Sequence, residues 1–517
     1  MDNQTAPINI TIEKNYDSEF CGSIPLHLVN LIQPHGVLLV LDKKELRILQ
    51  TSENVSDYLA MPADELLKKS LADLLPESQF KEVLDKVDAQ GGHDKIPFML
   101  NIITEGQEKP FSALILPQDD YLLMELERSA PSPEESFVRL YQHIKYITSI
   151  LKQAGTQQEI ALRAAEELKA FTGFDRVLVY QFDPQWNGIV IGQAKEDDMD
   201  DYMGLRFPAS DVPKQARDLY FKNPYRLIPT RNYTPVRLIP IVNPLTQRFT
   251  DLSDSNLRSV ARVHLEYLGN LKITASMSLP IIIENNLWGL ISCHHKTAKH
   301  PGYEMRSAME LLSGILSAQL EVKQREDNMA RRVRLRSIHV KLVEQLYTTP
   351  HFADGVLEGE ASIKELLSLT GAAVMYEGNL WVSGATPSDQ EIKELSSWLR
   401  RNKSSGLFAS DTLPHDYPHS KSYKDIASGI IALPINADQG EFILGFRPEV
   451  TQTVEWGGNP DNAIQMEADG KSYHPRNSFA TYKNVVKNTS MPWLQEEIEA
   501  AESLRNAVIE KIIKERH

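Results

Sequence analysis

The stretch Asp201-Tyr-Met-Gly-Leu-Arg-Phe-Pro-Ala-Ser-Asp-Val-Pro213 sets a carboxylate between two prolines. Pro208 and Pro213 each disfavour helix at the preceding residue and remove a backbone donor. The pattern therefore predicts a fixed extended loop over 207–213, with Asp211 held inside it, followed by a short helix. A carboxylate in this position is also typical of a helix N-cap, and the stretch alone does not decide between a capping role and a binding role.

The composition narrows the class of protein. With 517 residues the chain is too long for one core and suggests about three domains. The 55 Lys and Arg against 70 Asp and Glu give a net charge of −15, which argues against nucleic acid as a partner. No apolar run approaches the roughly 20 residues that span a bilayer, so we expect no membrane partner and a cytoplasmic location. Cys21 and Cys293 are the only cysteines, too few for a disulfide framework.

The first third of the chain alternates strand and helix patterns. Apolar runs predict strands at 37–42, 46–51, 96–104, 110–116 and 121–126. Helical spacing is found at 56–59, 63–75 and 79–90. The order of a hairpin, helices and a meander resembles a PAS domain, which we place at 24–129 after a separate segment at 1–23.

A second region combines three predicted helices with four predicted strands. Residues 137–154, 157–171 and 258–269 have helical spacing, and strands are predicted at 175–182, 188–194, 275–283 and 287–294. A loop at 227–254 has no periodicity, and loops of this length are usually functional or disordered. The region resembles a GAF domain at 136–320.

The remaining chain begins with one long helix and ends with another. Between 303 and 348 only Gly314 interrupts the pattern, and about 45 residues at about 1.5 Å each give a helix of about 68 Å. Its polar middle, 321–332, predicts a segment that no single domain buries. Ser490 is a candidate N-cap of the last helix, 490–517, with Pro492 in its first turn. That helix carries an apolar stripe of Leu494, Ile498, Ala501, Leu504, Val508 and Ile512.

Several motifs in order carry a resemblance to one family. They are Cys21 before Ile32-Gln-Pro-His-Gly36, then Phe207-Pro-Ala-Ser-Asp-Val-Pro213, His264-Leu-Glu-Tyr-Leu268, Ala275-Ser-Met-Ser278, Trp288-Gly-Leu-Ile-Ser-Cys-His-His295, Trp456-Gly-Gly-Asn-Pro460 and Pro475-Arg-Asn-Ser-Phe479. Together they are similar to the photosensory core module of a bacteriophytochrome. The resemblance implies a mixed α+β fold: three consecutive PAS- or GAF-like domains, with antiparallel sheets flanked by helices, joined by a long helical spine. The third domain, PHY, would cover 321–489, with a tongue hairpin at about 447–483.

The resemblance also implies a red/far-red photoreceptor that covalently binds and photoisomerises biliverdin IXα, a linear tetrapyrrole. The resemblance places the thioether bond at Cys21, a short way before Ile32–Gly36. Val263 stands where other relatives have their cysteine, which implies biliverdin as the bilin. Ile32 and Pro213 would contact the bilin, Arg226 and Arg258 would bind its propionates, and Tyr220, Ser276 and Ser278 would add hydroxyls. His264 would lie beside the inner pyrroles and share a water with the carbonyl of Asp211, and His294 would bind the D-ring carbonyl. The implied D-ring neighbours are Tyr180, Tyr202, Phe207 and Tyr267.

Signalling is implied to pass through the tongue. In the family Asp211 pairs with the tongue arginine, here Arg476, in the red-absorbing state, and the tongue refolds after photoisomerisation. The other tongue residues implied in signalling are Trp456, Pro475 and Ser478. The signal would leave through 494–513 towards an output domain outside this chain, a histidine kinase or a diguanylate cyclase. The two amphipathic helices favour a parallel homodimer.

Three departures from the family pattern are visible. Ala261-Arg262-Val263 replaces a common Ser-Pro pair before His264, so Arg262 is a candidate substitute for a propionate hydroxyl. Asp-Val-Pro replaces the commoner Asp-Ile-Pro. Gly445 stands at a usual tryptophan position of tongue packing, which predicts a less stable far-red state and faster dark reversion, with Gly445→Trp as the test.

Two alternatives come from other classes. One is a GAF or PAS sensor of a diffusible ligand such as a cyclic nucleotide, which leaves Cys21, Trp456 and Arg476 unexplained. The other is an enzyme, but we find no phosphate-binding Gly-rich loop, HExxH, GxSxG or histidine-kinase block. A metal site at Cys293-His294-His295 is disfavoured, because neighbours on a strand point to opposite faces. We therefore expect a sensor without a metal and without catalysis of its own.

Overall fold

The computed structural model describes residues 26–89, 94–129, 135–402, 406–460, 464–466 and 473–516. Cys21 and the proposed attachment segment lie outside these residues. The chain forms two compact units: one runs up to Val322 and includes Glu455–Tyr482, and the other contains Lys323–Val454 and the chain from Lys483 onward. No helix of the described residues is long and apolar enough to cross a membrane.

The elements follow one another in the chain with these bounds. The strands are β1 Leu31–Ile32, β2 Val37–Asp42, β3 Ile48–Ser52, β4 Ile96–Thr104, β5 Gln107–Pro117, β6 Tyr121–Arg128, β7 Arg176–Phe182, β8 Gly188–Lys195, β9 Arg206–Phe207, β10 Arg226–Ile228, β11 Val236–Ile239, β12 Ala275–Ile283, β13 Asn286–His295, β14 Gly371–Tyr376, β15 Asn379–Gly384, β16 Phe408–Ser410, β17 Gly429–Asn436, β18 Glu441–Arg447, β19 Gln452–Gly457, β20 Ile464–Met466, β21 Tyr473–Pro475 and β22 Thr481–Val486. The helices are α1 Val55–Leu59, α2 Ala63–Leu66, α3 Glu77–Ala89, α4 Glu135–Gln153, α5 Gln157–Thr172, α6 Lys214–Leu219, α7 Arg262–Asn270, α8 Tyr303–Thr348, α9 Phe352–Leu357, α10 Ile363–Leu366, α11 Asp389–Asn402, α12 Leu413–Asp416, α13 Lys424–Ala427 and α14 Gln495–Arg516.

The first sheet has seven strands in the order β1-β11-β3-β2-β6-β5-β4. Residues of β4 alternate between buried and more exposed positions because one face of the sheet packs on the core. The single helix predicted over 63–75 is wrong. It is split into α2 and a 3-10 turn at Leu71–Asp73, because Ser70 and Asp73 form a capping box that starts a new turn.

The long loop predicted at 227–254 contains two short strands. Its strand β11 pairs antiparallel with β1, which places Val236 opposite Ile32, and also with β3. Ile32 is fully buried in an apolar cluster with Leu238, Leu252 and Leu257. A short segment of this loop is therefore a strand only because it pairs with distant parts of the chain, which local periodicity does not reveal.

The second sheet has eight strands in the order β10-β12-β13-β7-β8-β9-β19-β22. One face carries Met277, Ile291 and Cys293, which are buried with residues of α5 and with Leu312 and Leu316 of α8. The other face, together with α7, surrounds the cavity described below. The sheet therefore separates a closed apolar core from a candidate site.

The prediction of one continuous helix over 303–348 is confirmed by α8, which has 46 residues. None of its residues 321–332 is buried, as their polarity predicted. The predicted mixed α+β fold with antiparallel sheets and a long helix is also confirmed.

The second unit has a five-stranded sheet in the order β15-β14-β18-β17-β16. Ala501, Leu504, Val508 and Ile512 of α14 are buried in its core, whereas Leu494 precedes the helix and is 38% exposed. The N-cap predicted at Ser490 is wrong. Helix α14 begins at Gln495, and the Ser490 hydroxyl donates to the Met491 carbonyl oxygen.

Gly445 lies on β18, between β14 and β17. A Cβ atom there would lie 2.5 Å from Leu369 Cδ1 and 2.9 Å from Ile431 Cγ2, both in the core of the second unit. Gly445→Trp would therefore disrupt this core and is unsuited to test tongue stability. The prediction of faster dark reversion stays a prediction.

Candidate functional site

A cavity of about 240 Å³ lies in the first unit, on the face of the second sheet that does not pack on α5. Side chains on alternate positions of the strands reach it, because successive strand residues point to opposite faces. The strand residues that line it are Leu178, Tyr180, Phe207, Arg226, Ile228, Ser276, Ser278, Leu290, Ser292 and His294. The intervening Val179, Leu227, Met277, Ile291 and Cys293 belong to the apolar core instead.

The opposite wall comes from the stretch around Asp211 and from α7. Pro213 has an extended backbone at the start of α6, so it, rather than Asp211, occupies the N-cap position. Asp211 lies in a 3-10 turn and its side chain faces other partners. The capping role that the sequence left open for Asp211 is thereby excluded, and Asp211, Tyr220, His264 and Tyr267 all line the cavity.

Two arginines bring positive charge to the cavity wall. Arg226 donates to the backbone oxygens of Asn256 and Arg258, and Arg258 donates to the carbonyl oxygen of Leu26. Within the described chain neither guanidinium forms a salt bridge with a carboxylate, and Arg258 Nε is buried without a hydrogen-bond partner. Burial and the neighbouring Arg226 lower the pKa of Arg258 to about 9. Such a wall favours an anionic ligand that supplies the missing carboxylates.

Two histidines face the cavity in the neutral form. Burial and, to a smaller extent, the charge of Arg226 lower the pKa of His264 to about 4. Its ring is stacked against Tyr267 with 5.8 Å between the centroids. Burial, helped by Arg176 and His264, holds the pKa of His294 well below its ordinary value. His294 Nε2 lies 3.0 Å from Ser292 Oγ.

Aromatic rings fill one end of the site. The Phe207 ring lies 6.1 Å from Tyr180 and 5.5 Å from Tyr202 between centroids. Burial raises the pKa of the Tyr180 and Tyr267 hydroxyls well above the ordinary value, so both stay protonated. This end therefore offers apolar ring faces with hydroxyl tips.

The segment 473–480 closes the site from outside the second sheet. Pro475 lines the cavity, and Arg476, which is 2% exposed, donates to Asp211 Oδ2 at 2.5 Å. The same oxygen accepts the Tyr267 hydroxyl at 2.8 Å. The Arg476 guanidinium also lies 4.6 Å from the Phe479 ring centroid and 5.4 Å from that of Phe207. One buried ion pair thus joins this segment to the cavity wall.

Comparisons with known proteins agree with this arrangement. Residues 21–129 match the family described as PAS fold, residues 157–323 the GAF domain, and residues 335–517 the phytochrome region. Cyanobacterial phytochrome B of Nostoc sp. is 39% identical over 502 residues, which are 97% of this chain and 67% of that protein. The chain belongs to the phytochrome family.

Further relatives support the same assignment. A bacteriophytochrome of Xanthomonas campestris is 30% identical over 504 residues, covering 95% of this phytochrome chain and 78% of the relative. The crystal structure of bacteriophytochrome RpBphP3 from R. palustris superposes with a TM-score of 0.84 at 34% identity, covering 96% and 99% of the two chains. The photosensory core module of the Stigmatella aurantiaca phytochrome gives 0.81 at 34% identity, covering 97% and 98%. The resemblance to a photosensory core module of PAS, GAF and PHY domains is confirmed.

The phytochrome chain brings most of the predicted site residues together. All predicted chromophore-binding residues except Ile32 line the cavity, although their roles remain predictions. Ile32 does not line the cavity, because its pairing with β11 buries it in the first sheet, and its contact with the bilin stays a prediction. Trp456 pairs with Arg206 of β9, and Ser478 is exposed. Arg262 is exposed and does not line the cavity, so it is no substitute for the missing hydroxyl.

Sequence reasoning missed Arg176, Ser210 and Ser292. Ser210 and Ser292 line the cavity, and Arg176 contacts His294 behind it. Alternation along β7 could have found Arg176, since it shares a face with Leu178 and Tyr180. The signal in the sequence was an arginine at the start of the largely apolar strand β7.

A second cluster of ligand-type side chains lies elsewhere in the first unit. His35, Glu127 and His300 offer atoms within 4.8 Å of one another. However, Arg306 donates to both Glu127 carboxylate oxygens at 2.8 Å. A divalent cation would add charge to a carboxylate that is already neutralised, which disfavours a metal there.

Proposed function

We propose that this chain is the light-sensing part of a red/far-red photoreceptor that binds biliverdin IXα covalently through Cys21. The observation that carries the proposal is a pair of arginines, the half-buried Arg226 and the buried Arg258, which reach the cavity without a carboxylate partner among the described residues. Biliverdin has two propionates that match two guanidinium groups. Its conjugated rings suit a cavity with apolar and aromatic walls.

The remaining polar groups fit the same ligand. Tyr220 OH lies 2.7 Å from Ser278 Oγ, so these two hydroxyls, with Ser276, extend the polar edge next to Arg226. His264 and His294 are neutral, so each ring carries one N–H donor and adds no positive charge to the site. Tyr180, Tyr202, Phe207 and Tyr267 would surround the D ring. In the attachment step the Cys21 sulfur would bond to a vinyl carbon of the bilin, and the thiol proton would go to the other vinyl carbon.

Bound biliverdin would supply light absorption and double-bond isomerisation. The chain would supply the positive wall for the propionates, the neutral histidines and the exclusion of water. Asp211 and Arg476 would connect the cavity to the tongue, since breaking their ion pair frees a buried arginine on that segment. We propose that tongue refolding then carries the signal to α8 and to the C-terminal helix.

The output lies beyond what this chain covers. The chain spans about two thirds of the length of the first curated relatives it matches. We propose that an output domain, a histidine kinase or a diguanylate cyclase, follows in the complete protein, and that the chain forms a parallel homodimer. We keep the division into PAS at 24–129, GAF at 136–320 and PHY at 321–489 as part of this proposal.

An absorption spectrum tests the proposal directly. The chain is produced with a biliverdin supply, purified, and measured before and after red illumination. We expect a red band that shifts to the far-red and reverts. A colourless protein despite excess biliverdin would refute the proposal. It would favour the alternative, a sensor of a diffusible ligand.

The covalent bond has its own test. Cys21→Ala should remove zinc-induced fluorescence from the denaturing gel band while some bilin stays in the native cavity, because Arg226 and Arg258 remain. Cys293→Ala is the matched control, since Cys293 is buried in the apolar core. An undiminished band for Cys21→Ala would show that the bilin is bonded to a residue other than Cys21.

A further inference from the structure

Arg176 is a buried cation that the proposed function does not yet use. It is 1% exposed, at the start of β7, and within the described chain it forms no salt bridge. Its NH1 group donates to the Asp200 carbonyl oxygen at 3.3 Å, and its guanidinium lies 4.2 Å from the Tyr202 ring centroid. Arg176 also hydrogen-bonds the Tyr202 side chain. These partners do not neutralise a buried guanidinium, so its one further contact, with a nitrogen acceptor, contributes to holding the charge.

That remaining contact is with one nitrogen of His294. Arg176 Nε and NH2 lie 3.3 Å and 3.1 Å from His294 Nδ1. A guanidinium has only donors, so Nδ1 must be the acceptor and cannot carry a proton. The proton of a neutral ring is then on Nε2, which lies beside Ser292 at the cavity wall.

We infer that Arg176 is a positioning residue that fixes His294 as the neutral Nε2–H tautomer and so makes it a hydrogen-bond donor towards the cavity. The inference rests on the proposed function for its consequence: His294 would select a ligand carbonyl oxygen and would not accept from a pyrrole N–H. With this tautomer the His294 Nε2–H group donates to Ser292 Oγ. A bound ligand carbonyl oxygen would replace Ser292 Oγ as the acceptor.

The other groups near His294 act in the same direction. From α7, His264 is neutral and offers no charge that could hold an imidazolium. Tyr202 lies beyond Arg176 and its pKa is raised by burial, so it is also uncharged. Tyr267 of α7 stays protonated as well. Arg176 is therefore the only charged group that contacts His294 within the described chain.

The tautomer can be measured without any bilin. Histidine-labelled apoprotein gives long-range ¹H–¹⁵N correlations, and His294→Gln assigns the His294 signals. We expect the Nε2–H tautomer and a neutral ring in the unmodified chain at pH 7. A wild-type His294 with its proton on Nδ1, or a cationic ring at pH 7, would overturn the inference even if every Arg176 variant failed to fold.

Variants separate positioning from a structural role. Arg176→Met should mix the two tautomers and raise the pKa of His294 by roughly one unit, because a neighbouring positive charge is removed. Arg176→Lys keeps a charged donor and should restore the Nε2–H tautomer. Arg206→Met is the control, since Arg206 pairs with Asp183 and does not contact His294. An unchanged tautomer and pKa in folded Arg176→Met would refute the inference.

The loaded protein gives a second readout. At pH 7 the absorption band of Arg176→Met should broaden or shift, because a mixture of His294 tautomers would bond the ligand carbonyl in two ways, while Arg176→Lys should match the unmodified chain. An unchanged band in Arg176→Met would count against Arg176 as the group that controls His294. If no chain binds biliverdin, the proposed function fails while the apoprotein measurement still decides the tautomer.

Discussion

Asp211 holds a buried negative charge between two donors of different kinds. Arg476 compensates the charge, the Tyr267 hydroxyl adds a hydrogen bond, and burial still raises the pKa of the carboxyl. Asp211→Asn keeps the shape but removes the charge, so we expect the variant to bind bilin and fail to complete photoconversion. The fraction converted after saturating red light measures this. Asp201→Asn is the control, because Asp201 is exposed, lies ten residues earlier on the other side of β9 and should convert fully. Full conversion of Asp211→Asn would remove Asp211 from the mechanism.

His264 predicts how the apoprotein responds to acid. Its pKa is about 4 in the folded chain and about 6.5 when unfolded, so the unfolded state takes up the proton first as the pH falls. Stability is therefore unaffected above about pH 7 and decreases from about pH 6.5 to 4, by about 3 kcal/mol for this group.

Denaturant unfolding at several pH values tests this loss. His264→Gln should lose less stability than the unmodified apoprotein between pH 7 and pH 4. His143→Gln should not differ from it, because His143 is exposed on α4. Equal acid sensitivity of His264→Gln and the unmodified chain would show that other groups control the response.

At the scale of elements, β19 approaches the cavity wall through Gly457. A Cβ atom at Gly457 would lie 2.7 Å from two ring atoms of Phe207, and Phe207 is itself packed between Tyr180 and Tyr202. Gly457→Ala should therefore push the Phe207 ring or loosen β19, at a cost of about 1–3 kcal/mol. Hydrogen exchange of 455–460 should become faster. Gly314→Ala is the control, since a Cβ atom there meets nothing within 4 Å on α8. Unchanged exchange in Gly457→Ala would mean that this approach is not a tight contact.

Some elements of this fold could be predicted from local sequence patterns, and others could not. Strands such as β12 and β13 were predictable because a two-residue alternation follows from one buried face. The N-cap at Ser490 was wrong because α14 begins at Gln495, where Glu497 accepts from the Leu494 backbone N–H and is itself held by the distant Arg447. Strand β11 and the burial of Ile32 depend on pairing between positions more than 200 residues apart, about which periodicity says nothing. The inward position of Arg176 could be read from the alternation along β7. Its contact with His294, 118 residues further along the chain, could not.

At the scale of the whole molecule, the domain order followed from motifs spread along the chain, while the attachment of the last helix did not. Arg447 of β18 donates to Glu497 of α14 at 2.7 Å, and both side chains are buried. Arg447 also lies 3.8 Å from the Trp493 ring centroid and donates to the Leu367 and Pro492 carbonyl oxygens. Glu497 in turn accepts from the Leu494 backbone N–H. One glutamate therefore anchors the start of α14 to the sheet of the second unit.

Glu497→Ala should separate signal transmission from light sensing. The change leaves Arg447 buried without its carboxylate, so we expect the second unit to lose about 3–5 kcal/mol of stability and α14 to exchange its amide hydrogens faster. The cavity residues all belong to the first unit, so the absorption spectrum and photoconversion should stay as in the unmodified chain. Glu499→Ala is the matched control, because Glu499 is exposed on the same helix and should change neither property. A spectrum altered by Glu497→Ala would show that the anchor of α14 also affects the cavity, and unchanged exchange in α14 would show that Glu497 does not hold the helix.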